Sequence, residues 1–505
     1  MFTKESLDSV GVESTWRKSQ KLAHETKGCQ TRTVHSANAE VQTGSTTVSS
    51  SQTEPQDQRL EQHLSHSVHK LEISGLNTFL HQVEDVVIKE LSRNTKSHAF
   101  DGFQVNWEDQ SQSVSCTHCL QHPGAKERGL HVTCLTWNCT GSIIACAYGR
   151  IDDGDWSNES SYVCTWNLDR QCVNQNQPDL IIDVAAAVTA LSFHPIHPSL
   201  IAGGLYTGEV LAWDISQTQD PVVAQAGMSA DSHREAVYQV DWVPVQETGE
   251  LGVLSASSGG KVLIWMLDSA QGRFVLSSGF AFVRQQLPHS SSAHIQAWRN
   301  MYAGVTSLAL SPWDPDTFLV GSEGGLLLRC SFSAETPAAV STEGQSVALR
   351  APAVFSFKPR GSPVHSIHCS PFHRNLFLSV GADGMAHLHS LLQAQPLLSL
   401  RVSDSYVFHV RWSPARPVVF AAATAQGVVQ IFDLGQRSLR PAATIEQNSA
   451  GQAATCLAFN SRNTRLLAVG GTDGQVNIWH LSTDLTEQRP QDMAHLEQLA
   501  NEVAE

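Results

Sequence analysis

Residues 17–78 contain no Phe, Trp or Tyr, and the stretch 31–58 is mostly Ser, Thr, Gln, Glu and Ala. Such a segment cannot bury enough apolar area to offset the entropy of ordering itself. Residues 1–69 are therefore expected to form a disordered arm. Long apolar runs are also missing: no stretch approaches the roughly 18 uncharged apolar residues that a membrane-spanning helix requires. The start, Met1-Phe2-Thr3-Lys4-Glu5-Ser6, lacks the apolar core of a secretory leader. The 11 cysteines have no repeating spacing, unlike a secreted disulfide framework. These absences predict a reduced, cytosolic chain without direct membrane contact. Basic charge is scarce too: 33 Lys and Arg against 48 Asp and Glu give a net −15. That balance leaves no positive field to draw in a phosphate backbone, which excludes nucleic acid as a principal partner. The imbalance is uneven, because residues 1–100 carry 12 acidic and 11 basic side chains and the remainder holds nearly all the excess.

Catalytic signatures are equally sparse. Gly203 and Gly208 stand at phosphate-loop spacing, but Glu209 and Val210 follow where a lysine and a hydroxyl are needed. Gly259-Gly260-Lys261 has Ser255 in place of the first glycine. Both read as turns. Cys116, His118, Cys119 and His122 lie close together, yet a second ligand pair at zinc-site distance is missing beyond His131 and Cys134. His365, His368, Cys369 and His373 read as strand residues. No enzyme, no metal and no cofactor are expected.

What the chain does contain is a repeat. Opening pieces VTCLTWN (from Val132), VTALSFHP (Val188), VYQVDWVP (Val237), VTSLALSP (Val305), VHSIHCSP (Val364), VFHVRWSP (Val407) and ATCLAFN (Ala454) alternate with closing strands that follow a polar or Gly-marked turn. The closing strands end in Trp166, Trp213, Trp265, Cys330, His389, Phe432 and Trp479, separated by 47, 52, 65, 59, 43 and 47 residues. Asp-Gly, Gly-Gly and Gln-Gly pairs supply the positive φ of tight hairpin turns. A four-stranded unit cannot cover both its faces alone, so such units pack radially. These motifs resemble the WD40 family across residues 98–482, which implies an all-β, seven-bladed propeller with Trp166, Trp213, Trp265, Phe432 and Trp479 as blade-closing residues. The units ending in Cys330 and His389 depart from the pattern, and the wide spacings place insertions in 266–300 and 331–360. The last blade lacks an outer strand, which either 100–107 or 114–119 is expected to supply.

Two features precede the repeat. Leu76, Phe79, Leu80, Val83, Val87 and Leu91 recur at helical spacing, with Glu84, Asp85, Lys89 and Glu90 between them. This predicts one amphipathic helix over 75–93, capped by Ser74 and Asn94, within a 70–97 helix-and-linker segment. It either packs on the following domain or docks on a separate protein. The arm carries three Gln-Thr pairs: Lys27-Gly28-Cys29-Gln30-Thr31, Glu40-Val41-Gln42-Thr43 and Ser50-Ser51-Gln52-Thr53. They resemble the motif by which extended partners add an edge strand to DYNLL-type dynein light chains. On that resemblance Lys27, Cys29, Gln30, Thr31, Val41, Gln42, Thr43, Ser51, Gln52 and Thr53 contact light chains, with Cys29 where threonine is usual. A polar, helix-prone tail is expected over 483–505.

Arm, helix and propeller in this order resemble the dynein intermediate chain family. The runs KSHAFDGFQVNW (96–107), GLHVTCLTWNCTGSIIACAYGRIDDGDW (129–156) and CSPFHRNLFLS (369–379) are similar to its WD-repeat members in cytoplasmic dynein-2, the motor of retrograde intraflagellar transport. The resemblance implies a noncatalytic subunit whose propeller binds the dynein-2 heavy chain. It further implies a Roadblock-type light chain on Leu76, Phe79, Leu80, Val83, Val87 and Leu91, Tctex-type light chains as further partners, and pairing with a second, different intermediate chain. Location in cytoplasm, cilium (axoneme and basal body) and centrosome follows from the same resemblance. Two alternatives remain at this point: a WD-repeat substrate receptor of a ubiquitin ligase, and an axonemal dynein intermediate chain.

Overall fold

Apolar runs of Val, Leu and Ala broken by polar turns become short antiparallel strands throughout the body. The computed structural model describes residues 76–95, 114–150, 160–217, 219–227, 229, 231–245, 249–288, 302–339, 346–436, 440–447 and 451–501. They belong to two units, 1–104 and 105–505. In the first, helix Leu76–Thr95 covers the expected helix and runs through Asn94, so Asn94 does not end it; Ser74 lies outside the described residues. The exposed pairs His81–Glu84 and Glu90–Arg93 decorate its surface at i, i+3 spacing and contribute little.

The second unit is an all-β, propeller-like body of five four-stranded sheets and one eight-stranded sheet. The eight-stranded sheet consists of two antiparallel halves, Val188–Phe193 through Val222–Gln225 and Val237–Pro244 through Arg273–Ala281. A single parallel pair, Arg273 with Gln225, joins them. The wide spacing after Trp265 is taken up partly by the nine-residue strand Arg273–Ala281, and that after Cys330 by chain that returns to bridge Arg350 to Phe280.

The last sheet is completed from the other end of the body. Strand Val114–Gln121 pairs antiparallel with Gln475–Leu481, with Leu120 opposite Val476 and both fully buried. The second of the two expected candidates is thus the outer strand; the first, 100–107, lies outside the described residues.

Neighbouring sheets are clasped along their innermost strands. Thr133 Oγ1 donates to the carbonyl of Val188 at 2.6 Å, Thr306 to Val364 at 2.5 Å and Thr455 to Val132 at 2.5 Å. Thr189 donates likewise to Val237 between the two halves of the eight-stranded sheet, and His365 Nδ1 lies 3.0 Å from the carbonyl of Val407. Each of these residues sits at a β-bulge, where the ladder register slips by one. The hairpin glycines have a second role besides positive φ. Gly474 (φ 73°) brings its turn so close to the chain entering the first sheet that a Cβ would lie 2.7 Å from the Leu130 carbonyl oxygen. A side chain there would force the two sheets apart.

After the last strand the chain forms helices Thr483–Thr486 and Asp492–Asn501. Leu485 and Leu496 are buried in the same apolar cluster as Val418 and Phe432. Beside them Arg416, itself buried, reaches Asp433 and Asp492 at 2.9 Å each and donates to the Asp484 carbonyl at 2.6 Å. The segment expected as a tail is therefore tied to the propeller. Arg416→Ala leaves two buried carboxylates without their partner, and a loss of about 3–5 kcal/mol is expected. Thermal melting of the full chain should show it, and Arg416→Lys should rescue little because one ammonium cannot span both acids.

Candidate functional site

Two surfaces could serve recognition: the helix of the first unit and the central channel of the second. The helix leaves its apolar stripe open. Phe79, Leu80, Val87 and Leu91 are about half exposed or more, at 57, 51, 49 and 61%, and Val83 is half-buried. The structure describes the backbone of Leu76 on the same helix. The light-chain motif residues Lys27, Cys29, Gln30, Thr31, Val41, Gln42, Thr43, Ser51, Gln52 and Thr53 lie outside the described residues.

The blade-closing residues are core, not contact surface. Trp166, Trp213, Trp265 and Phe432 are buried and Trp479 is half-buried. Trp265 Nε1 donates to Ser255 Oγ at 2.8 Å, and His233 Nε2 meets the same hydroxyl at 2.7 Å. Trp479 Nε1 donates to Gln447 Oε1 at 3.2 Å. Cys330 and His389 occupy the equivalent strand position and are just as buried. His389 stacks on Phe377 with ring centres 4.7 Å apart and meets Ser379 Oγ at 2.9 Å. Arg360, also buried, donates to that hydroxyl at 2.9 Å and pairs with Asp383. A flat aromatic ring with a polar edge thus fills the tryptophan's place.

The channel is a polar cavity of about 400 Å³ lined by the innermost strands. Its walls carry Asp241, Arg411, His409, Cys134 and Cys456, with His368 near Arg411 behind them. Burial raises Asp241 to about 6, opposed by its bond from Gln239 and by Arg411. Burial holds His368 down to about 3, with Arg411 adding to the effect, and its Nδ1 accepts from the Trp412 amide at 2.9 Å. His409 is likewise held neutral and accepts from the Leu457 amide at 3.1 Å. The thiols of Cys134 and Cys456 are pushed up by burial, so neither is a poised nucleophile. Among the described residues no group of three or more His, Cys, Asp or Glu side chains could hold a metal ion. Asp241 and Arg411 sit in the opening strands VYQVDWVP and VFHVRWSP without standing out in the sequence, and Arg416, Asp433 and Asp492 fall outside the repeat's opening and closing pieces.

A family profile described as the dynein axonemal intermediate chain 3 WD40 domain matches residues 314–481. Cytoplasmic dynein 2 intermediate chain 2 of Mus musculus is 49% identical over 500 residues, covering 99% of this chain and 92% of the relative. The Homo sapiens protein of that name is 47% identical over 501 residues, with the same coverage. This chain belongs to the cytoplasmic dynein-2 intermediate chains. Similarity to dynein axonemal intermediate chain 4 of Homo sapiens is 25% identity over 363 residues, covering 70% of this chain and 40% of that one. The full-length match separates this intermediate chain from the axonemal alternative.

The buried histidines predict acid sensitivity. His233 and His368 fall from an ordinary 6.5 to about 3, mainly through burial, and His389 and His409 fall well below their ordinary value. A lowered histidine contributes stability that is present above about 6.5 and is lost as pH falls below it, at roughly 1.4 kcal/mol per group per pH unit. Asp241 acts oppositely, because its raised value favours the folded state as pH falls through about 6. The histidines outnumber it, so the melting temperature of the intermediate chain should drop between pH 7.5 and 5.5. His368→Asn, whose amide oxygen can accept the Trp412 amide proton, should make that drop shallower.

Proposed function

We propose that this chain is a noncatalytic mounting subunit of the dynein-2 motor: its propeller holds a heavy-chain tail and its arm and helix hold light chains. Retrograde intraflagellar transport and cilium assembly are the processes served. In this reading residues 98–482 form a propeller of seven blades, with the eight-stranded sheet counting as two. Residues 1–69 are the light-chain arm, 70–97 the helix and its linker, and 483–505 a C-terminal extension.

The observation that carries this reading is the open apolar stripe Phe79, Leu80, Val87 and Leu91 on a helix between a Gln-Thr-bearing arm and the propeller. Full burial of each such side chain against a partner is worth about 1.5–3 kcal/mol, enough together for stable docking of a Roadblock-type light chain. The arm's Gln-Thr pairs give DYNLL-type dimers an extended strand to add to their sheets. Because the second and third engagements are intramolecular, at effective concentrations near millimolar, tandem sites can zip this arm to that of a different intermediate chain. Tctex-type light chains are further candidates for the arm. ATP hydrolysis belongs to the heavy chain, in keeping with Glu209 and Val210 where a phosphate loop needs lysine and a hydroxyl. Location at the ciliary axoneme, the basal body and the centrosome follows from the same role. A ubiquitin-ligase receptor would give the Gln-Thr pairs nothing to do.

Substituting Gln30, Thr31, Gln42, Thr43, Gln52 and Thr53 with alanine should abolish co-purification of DYNLL-type light chains and leave the heavy chain bound; undiminished light-chain recovery would refute the role of the arm. Leu80→Asp with Val83→Asp should remove the Roadblock-type light chain without lowering the melting temperature. A lowered melting temperature would instead mean that the stripe packs on the chain's own propeller.

A further inference from the structure

The innermost strands follow one rule with two exceptions. Where Thr133, Thr189, Thr306, His365 and Thr455 reach across to the next sheet, the equivalent positions in VYQVDWVP and VFHVRWSP hold Tyr238 and Phe408. Neither has a donor at the γ position, so each gives up an inter-sheet hydrogen bond, a net loss of stability. Both rings line the mouth of the channel instead. Tyr238 is 40% exposed, and Phe408 is half-buried with its face against His365, ring centres 5.5 Å apart. Tyr406, 54% exposed, stands beside the His365 and Phe408 rings.

Two acids stand close to the same mouth. Glu235 precedes Tyr238 by three residues, the Glu323 carboxylate lies beside Gly304 just before channel-lining Thr306, and both acids are exposed. Neither forms an ion pair among the described residues, in contrast to Asp383 with Arg360 and Asp404 with Arg401. Positions that break a local rule at a cost in stability are where recognition is expected. Exposed aromatic faces next to unpaired carboxylates suit an ammonium or guanidinium group, which the rings attract through their quadrupoles and the acids through charge.

We propose that the channel mouth around Tyr238 and Phe408, with Glu235 and Glu323 on its rim, is the docking point for a Lys- or Arg-bearing segment of the heavy-chain tail. This rests on the reading that the propeller holds that tail, and it adds which face does so and the chemistry it recognises. The rings supply buried contact area, and the acids steer the segment in and set its register.

The test is to express the full chain with the heavy-chain tail and light chains and to measure heavy chain recovered per chain. Tyr238→Thr with Phe408→Thr restores the threonine rule, so the melting temperature should hold or rise while heavy-chain recovery falls about tenfold and light-chain recovery stays constant. Glu235→Gln with Glu323→Gln, at exposed positions, should cut recovery several-fold and flatten its dependence on salt. If the threonine pair melts early, the glutamine pair decides. Wild-type recovery of heavy chain that neither pair of substitutions reduces would overturn the inference and leave the mounting role intact. Wild-type chain that captures light chains but no heavy chain would overturn both.

Discussion

The structure depends on a closed ring of sheets, each of which has two apolar faces and can cover neither by itself. Closure is made by one pairing between distant parts of the body, Val114–Gln121 against Gln475–Leu481, which buries Leu120, Val476 and Leu481. Everything else about the body is local repetition: each sheet packs on the next, and threonines on the innermost strands stitch neighbours through single hydrogen bonds. Since the last sheet touches the first through Thr455 and Val132, an unpaired outer strand would expose apolar surface where the ring begins as well as where it ends. The Arg416 cluster reinforces that region by holding the C-terminal helices against the neighbouring sheet.

Much of this was legible in the amino-acid order. The strand pattern, the hairpin glycines and the closing aromatics rest on local chemistry with a short period, and local chemistry reads well. The outer strand could be narrowed to two segments and no further, because its partner is some 360 residues away and pairing at that distance leaves no local mark. His389 and Cys330 looked like weak points in the repeat, yet His389 replaces the tryptophan by stacking on Phe377 and bonding Ser379. Arg416 could not be recognised, since its partners Asp433 and Asp492 come from separate elements. Tyr238 and Phe408 could have been: lining up the opening pieces shows threonine or histidine at their position everywhere else. The helix was read correctly in place, while its C-terminal cap was not, because Asn94 continues as helix.

The titratable groups inside the body serve its fold. His368 and His409 are held neutral as acceptors for backbone amides, and the channel thiols are held protonated. Groups so committed to the fold neither transfer protons nor attack. What remains for interaction lies on the outside: the open stripe of the helix, and an acidic rim with aromatic rings at the channel mouth. Under the proposed function the near-neutral N-terminal segment serves light chains and the acidic body serves the heavy chain.

That division can be measured directly by recovering the full chain and a chain beginning at residue 98 from ciliated cells and quantifying their partners by mass spectrometry. The shorter chain keeps Val114–Gln121 and therefore the closed ring. Heavy chain retained by both forms, with light chains lost from the shorter one, is the predicted result. Heavy chain lost from the shorter form, or light chains retained by it, would contradict the account.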